Sequence, residues 1–167
     1  MSLNYSMRRE APGDEAAIHA LTAASFADMP FADGDEPQLV DALRAAGDLT
    51  LSLVAVDGAA IVGHIAFSPV AISDGTRAWY GLGPVSVAPA VQRRGIGSAL
   101  IRRGLADMGE RGARGIVLLG SPAYYARFGF GHDPELCYPG PPPAYFQRLL
   151  LAGEAPRGIV TYVAAFG

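Results

Sequence analysis

Apolar positions along this chain repeat with two different periods. Residues 6–10 read as a short first strand, and residues 13–26 then place Ile18, Leu21 and Ala24 or Ser25 at helical spacing. Asp35-Glu36-Pro37-Gln38 has the D-x-x-Q form of a capping box with an early proline, which predicts a helix running to about Ala46. Residues 49–56 and 60–72 are apolar runs suited to strands, and Asp57-Gly58 between them is a hairpin signal. Asp74-Gly75 marks a second turn, into a strand over residues 79–88. A central helix follows over about residues 93–109, with Ile96, Leu100, Ile101, Leu105 and Met108 on one stripe and Arg102, Arg103, Asp107 and Glu110 outside it. Gly112 and Gly115 end that helix, and residues 116–119 form a short strand suited to a sheet interior. Pro139-Gly140-Pro141-Pro142-Pro143 breaks regular structure before a segment holding Phe146, Leu149 and Leu150, and residues 158–166 read as a last strand. The predicted order is β-α-α-β-β-β-α-β-α-β-β. That order implies one mixed α/β domain over residues 1–167, with a mostly antiparallel sheet flanked by helices.

The most informative stretch is Val87-Ala88-Pro89-Ala90-Val91-Gln92-Arg93-Arg94-Gly95-Ile96-Gly97-Ser98-Ala99-Leu100. An apolar strand enters a short turn, and two glycines then open a helix beside two arginines. The first amides of a helix lack intrahelical partners, the dipole makes that end partly positive, and glycine lets backbone approach a ligand. Such a turn cradles phosphate oxygens, so a cofactor with a pyrophosphate is expected. A Walker loop is excluded because the chain contains no lysine. A dinucleotide-binding G-x-G-x-x-G is disfavoured because Leu100 stands where its third glycine belongs.

The spacing Gln92-x-x-Gly95-x-Gly97 resembles the Q/R-x-x-G-x-G/A signature of the GNAT superfamily of acyl-CoA N-acyltransferases. Downstream, Ala123-Tyr124-Tyr125-Ala126-Arg127-Phe128-Gly129-Phe130 resembles that family's second signature, a short helix with a tyrosine four residues before Gly-Phe. The Leu82-Gly83-Pro84-Val85-Ser86-Val87 lead-in is similar to a bacterial branch of predicted N-acetyltransferases. Pro84 cannot donate to a ladder, which suggests a bulge or an open edge there. The resemblance spans about residues 6–165. It implies the GNAT fold, acetyl-CoA as cosubstrate and no metal. It further implies cofactor contacts from Val85, Ser86 and Val87 on the splayed strand and from Gln92, Arg93, Arg94, Gly95, Ile96, Gly97 and Ser98 in the cradle. The two guanidiniums either meet phosphate directly or remain solvated beside amides that do the binding.

Composition narrows the partners. The net charge is −3, which disfavours nucleic acid, and the single Cys137 excludes an intrachain disulfide. No Cys/His cluster has zinc spacing, and no apolar run approaches membrane-spanning length. With no basic-then-apolar signal pattern at the start, the expectation is a cytoplasmic protein with no membrane partner.

The resemblance implies acetyl transfer from acetyl-CoA to a primary amine by direct attack, with a non-catalytic acyl-CoA-binding or sensing module as the alternative. Tyr125 takes the place of the family's general acid, a phenol able to protonate the departing sulfur, or it is an aromatic wall. A backbone amide among Val85, Ser86 and Val87 is the implied oxyanion donor. The family often has Asn near Leu118 and Glu on the fourth strand; this chain has neither. His64 in Val62-Gly63-His64-Ile65-Ala66 is the candidate base, or else a packed histidine of the sheet, and His19 and His132 are weaker. Asp28, Asp33, Asp35 and Glu36 form an acidic segment that either steers a cationic amine or is simply solvated. The acceptor is a small amine or a protein N-terminus or lysine, and a homodimer is left open.

Overall fold

The computed structural model describes residues 4–27 and 34–167. In chain order its elements are β1 Ser6–Arg9, α1 Glu15–Phe26, α2 Glu36–Ala46, β2 Leu51–Asp57, β3 Ala60–Ile72 and β4 Trp79–Val87. They continue with α3 Ile96–Glu110, β5 Gly115–Leu119, α4 Pro122–Tyr125, β6 Leu136–Cys137, β7 Phe146–Leu150 and β8 Gly158–Tyr162. The class is mixed α/β with mostly antiparallel ladders, as the apolar rhythm implies. Two compact units are present, Met1–Phe67 with Gly83–Leu105, and Ser68–Leu82 with Ala106–Gly167.

In the first unit β1 pairs antiparallel with β2 and β2 with β3, placing Met7 opposite Ala55 and Val54 opposite His64. Side chains alternate faces along each strand, so the two sheet faces carry different partners. Ile18 of α1, Val40 of α2 and Val54 of β2 form a fully buried cluster, which puts α1 and α2 over the Val54 and His64 face. α3 covers the other face. A Cβ at Gly63 would stand 2.8 Å from Ile96 and 2.9 Å from Leu100, and one at Gly104 would stand 2.5 Å from the Phe67 ring. Glycine on both sides of the crossing therefore lets helix and strand approach closely. Along α3, Ile96, Leu100, Ile101 and Met108 are buried as the stripe predicts, and Leu105 is partly buried.

In the second unit the start of β4 runs parallel to β5, with Trp79 opposite Gly115 and Gly81 opposite Val117, and β5 pairs antiparallel with β7. The end of β3 pairs with β8, and β8 with β6. Trp79, Ile72, Val117, Leu136, Phe146 and Val160 make its core. The Trp79 indole lies where a Gly115 side chain would be, so glycine is required there.

Several boundaries depart from the sequence expectation. α3 begins at Ile96 rather than Arg93, because Arg93 (φ 66°) and Gly95 (φ 86°) both adopt left-handed backbone that a helix cannot continue through. Asp35 stands at the N-cap of α2 but makes no side-chain capping bond. The last strand stops at Tyr162, and β6 is too short to give a periodic signal.

Candidate active site

The turn between β4 and α3 is closed by its own polar groups. The Ala88 N–H donates to Val62 O at 2.8 Å, fastening the end of β4 to β3. The Gln92 side chain reaches back to donate to Val87 O at 3.1 Å. Gln92 thus shapes the loop. Left-handed Arg93 and Gly95 then swing the chain so that α3 starts abruptly, with Ala99 N–H donating to Gly95 O at 3.0 Å. The amides of Ile96, Gly97 and Ser98 precede that bond and lie in the first turn, where the helix dipole favours an anion. Nothing lies within 4 Å of a Cβ built at Gly95, and the Arg93 and Arg94 side chains are exposed. This cradle fits a pyrophosphate.

Three β4 residues, Val85, Ser86 and Val87, lie ahead of the cradle. β3 and β4 are neighbours in the sheet, fastened at the end of β4 by the Ala88–Val62 bond. Val87 N–H donates to Ser25 Oγ of α1 at 3.3 Å. The β4–β5 ladder ends at Gly81, well before these residues.

His64 is completely buried. Its Nε2 lies 2.8 Å from Ser52 Oγ, and Ser52 donates to Glu10 Oε1 at 2.7 Å. Glu10 accepts two further bonds from the Arg44 guanidinium, both at 2.8 Å. Burial pushes the Glu10 carboxyl up, but the bonds from Arg44 and Ser52 outweigh it and hold the group ionised. Burial dominates at His64 and pushes it down to about 4, with Glu10 pulling up and Arg44 pushing down. His64 is thus neutral at pH 7. Its Nδ1 and the Ser86 hydroxyl are both buried and have no hydrogen-bond partner among the described residues. Of the weaker histidines, His19 is taken up by a hydrogen bond between its Nδ1 and Asp41 Oδ2 at 2.7 Å.

In the second unit, Ser121 caps α4 by accepting from Tyr124 N–H, and left-handed Gly129 (φ 95°) stops the turn that follows. Tyr125 ends α4 with its ring against Tyr124, Phe128 and Phe130. Burial pushes its phenol up to about 12, so it is fully protonated at neutral pH. Buried Gln147 donates to Gly120 O at 3.0 Å and pins the turn that carries α4. Leu118 is a buried core residue.

Glu10, Arg44, Ser52 and Gln147 were missed by sequence reasoning. The available signal was Ser52, a polar residue within an apolar strand on the same alternating face as His64. Glu36 Oε1 and Oε2 are buried without a partner among the described residues. Asp28 and Asp33 lie outside the described residues, so the acidic segment is only half placed. Among the described residues no group of three His, Cys, Asp or Glu is arranged to hold a metal, and no helix is long and apolar enough to cross a membrane.

Comparison with known proteins agrees with this geometry. Residues 6–132 match the family described as acetyltransferase (GNAT) domain. The chain is 37% identical over 163 residues to the uncharacterized N-acetyltransferase YhbS of Escherichia coli K12, covering 94% of this chain and 93% of that protein. A GNAT family acetyltransferase from Brucella melitensis, solved in complex with acetyl-CoA, is 48% identical and superposes with a TM-score of 0.88 over 99% of both chains. The crystal structure of E. coli YhbS in complex with CoA is 34% identical, with a TM-score of 0.90 over 99% of this chain and 93% of that one. An acyltransferase family is thus shown by a domain match and by full-length relatives, and this chain belongs to the GNAT acetyltransferases.

Proposed function

We propose that the 167 residues act as one N-acetyltransferase domain that moves the acetyl group of acetyl-CoA to a primary amine by direct attack. The observation that carries this reading is the turn from β4 to α3. Left-handed backbone at Arg93 and Gly95 starts α3 abruptly and directs its first turn, the positive end of the helix dipole, at the place for phosphate oxygens. The relatives solved with acetyl-CoA and CoA support that ligand here. Ile96, Gly97 and Ser98 hold the pyrophosphate through backbone, Arg93 and Arg94 add positive charge, and Gln92 keeps the loop closed.

The reacting carbonyl needs a donor aimed at the oxygen that becomes negative. Val85, on the part of β4 beyond the end of the β4–β5 ladder, supplies that donor from its backbone N–H. Attack forms the N–C bond and collapse breaks the C–S bond, so the nitrogen must lose a proton and the sulfur must gain one. Tyr125 supplies the proton to sulfur. A phenol buried enough to rest at about 12 is never lost to ionisation at neutral pH and is always ready to donate.

The test is thiol release from acetyl-CoA in the presence of spermidine, kanamycin, an amino-acid amide and a peptide with a free N-terminus. Turnover with any one, with the acetylated amine detected by mass, is the expected result. CoA binding without any amine-dependent release would instead identify a sensing module.

A further inference from the structure

A cavity of about 210 Å³ lies between Tyr138, Phe146 and three prolines of residues 139–143, with the exposed residues His132 and Cys137 at its rim. The prolines keep it from collapsing, since each ring holds φ at about −65°. Tyr145 N–H donates to Pro142 O at 3.0 Å and closes the turn at the end of that stretch. No carboxylate and no guanidinium lines the cavity, so a polyamine finds no counter-charge in it. Its walls are aromatic faces and pyrrolidine rings, a surface on which another aromatic ring packs well. An apolar cavity of about 150 Å³ takes up benzene, so about 210 Å³ holds one ring with a short chain.

Two chains of contact tie this cavity to the place where β4 and β5 part. The Tyr138 ring meets the Tyr162 ring edge to face at 5.0 Å. Tyr162 in turn lies over Gly81, the last β4 residue paired with β5, where a Cβ would stand 2.7 Å from Tyr162 Cε1. On β5, Leu119 is opposite Phe146 and is 42% exposed. The next residue, Gly120, leaves room for the Tyr125 ring. Successive strand residues face opposite sides, so Tyr125 and the cavity belong to opposite faces of β5. In direct attack the acid meets the sulfur while the amine arrives from another side.

We propose that the cavity takes up the aromatic ring of the acceptor, which makes the substrate a free arylalkylamine: a primary amine on a short chain from a single ring. This rests on the acetyl-transfer reading above and names the amine. As the N–C bond forms and the C–S bond breaks, the nitrogen's proton leaves to water and the sulfur takes its proton from Tyr125.

Cys137, the one cysteine of the chain, reports on the cavity without any turnover. Its alkylation by iodoacetamide is followed by intact mass. At about ten times its Kd, 2-phenylethylamine should slow alkylation about tenfold, and spermidine at the same concentration should leave it unchanged. In the wild-type enzyme kcat/KM for 2-phenylethylamine should exceed that for ethylamine, the same amine without the ring, by about 10²-fold. Tyr138→Ala removes one wall and should shrink that ratio at least ~10-fold while the KM for acetyl-CoA stays within about twofold. Should Tyr138→Ala not fold, the two wild-type measurements decide alone. Alkylation untouched by 2-phenylethylamine overturns the proposal. Ethylamine or spermidine turned over as well as 2-phenylethylamine also overturns it, with acetyl transfer intact, and so does a strong preference for a peptide bearing an N-terminal Phe. Protection of Cys137 in a protein that turns over no amine refutes the acetyl-transfer reading, and the ring's role as acceptor falls with it.

Discussion

Gly120 offers a way to move the Tyr125 hydroxyl without removing it. The residue joins β5 to the capping Ser121, and its φ lies outside the left-handed region, so alanine meets no backbone strain. The obstacle is the tyrosine ring. A Cβ at Gly120 would stand 2.5 Å from Tyr125 Cε2 and 2.9 Å from Cδ2, whereas ordinary contact begins at 3.4 Å. The backbone cannot back away easily, since Gly120 N–H donates to Tyr145 O at 3.0 Å and Gly120 O accepts from Gln147 at 3.0 Å. The ring must therefore retreat by about 0.9 Å, carrying its hydroxyl with it. A misplacement of roughly 1 Å in a catalytic group can cost about 10²-fold in rate. Overpacking of this kind should lower stability by only about 1–3 kcal/mol. We expect Gly120→Ala to fold, to bind CoA normally, and to lose on the order of 10²-fold in kcat by thiol release. Adding Tyr125→Phe to it should then change little, because the displaced hydroxyl no longer serves the sulfur. Wild-type kcat in a folded Gly120→Ala protein, with the ring shown by crystallography to have moved, would refute the assignment of Tyr125 as the acid.

Tyr125→Phe alone should lower kcat by about 10²–10⁴-fold with CoA affinity nearly unchanged, and wild-type turnover would leave Tyr125 as a packing ring. Gly95→Ala forces an L side chain into left-handed backbone at a cost of about 1–2 kcal/mol, so calorimetry should show CoA binding weakened about tenfold; an unchanged Kd would detach this turn from the pyrophosphate. For His64, the folded state holds the ring near 4 and the unfolded chain near 6.5, so the unfolded state binds more protons between those values. Stability dependent on neutral His64 is complete above about pH 6.5 and falls by roughly 3 kcal/mol as pH drops toward 4. Denaturant titrations of His64→Gln should lack that part of the slope, and an identical slope would contradict the burial argument. Ser86→Ala removes a buried, unpartnered hydroxyl with almost no change in volume, so the melting temperature should rise, and an unchanged or lower one would contradict the burial argument.

The cradle was legible because its signal is local. Gln92, Gly95 and Gly97 lie within a single turn, and the apolar stripe of α3 follows directly. The helix start was misplaced by three residues because left-handed backbone at Arg93, unlike that at Gly95, leaves no trace in residue type. Asp35 suggested a cap by spacing alone, and spacing does not report where a side chain points. The network around His64 was invisible for a different reason. Glu10 and Arg44 are 34 residues apart and Glu10 and Ser52 are 42 apart, and only the β1–β2–β3 register and the docking of α2 bring them together. Gln147, 27 residues from the turn it pins, was hidden in the same way.

The two halves of that polar row obey different logic. From Arg44 through Glu10 and Ser52 to His64 Nε2, each group meets a partner at 2.7–2.8 Å, so this half is satisfied by the protein's own atoms. From Nδ1 to Ser86 the accounting stops, although both groups are as deeply buried as the core leucines around them. A buried polar atom left unpaired costs about 1–3 kcal/mol, a large share of the stability of a small protein. Packing alone would favour an aliphatic residue at both positions, since their neighbours Leu53, Val54, Ile65 and Ala66 are apolar and fully buried. A histidine with one nitrogen linked through Ser52 to an ion-paired carboxylate and the other bare is therefore costly in a core, and burial that pushes it down to about 4 keeps it neutral at pH 7. The satisfied half of the row fixes the ring: Ser52 gives its one proton to Glu10, so Nε2 carries the imidazole proton, a state set by residues far from His64 in sequence.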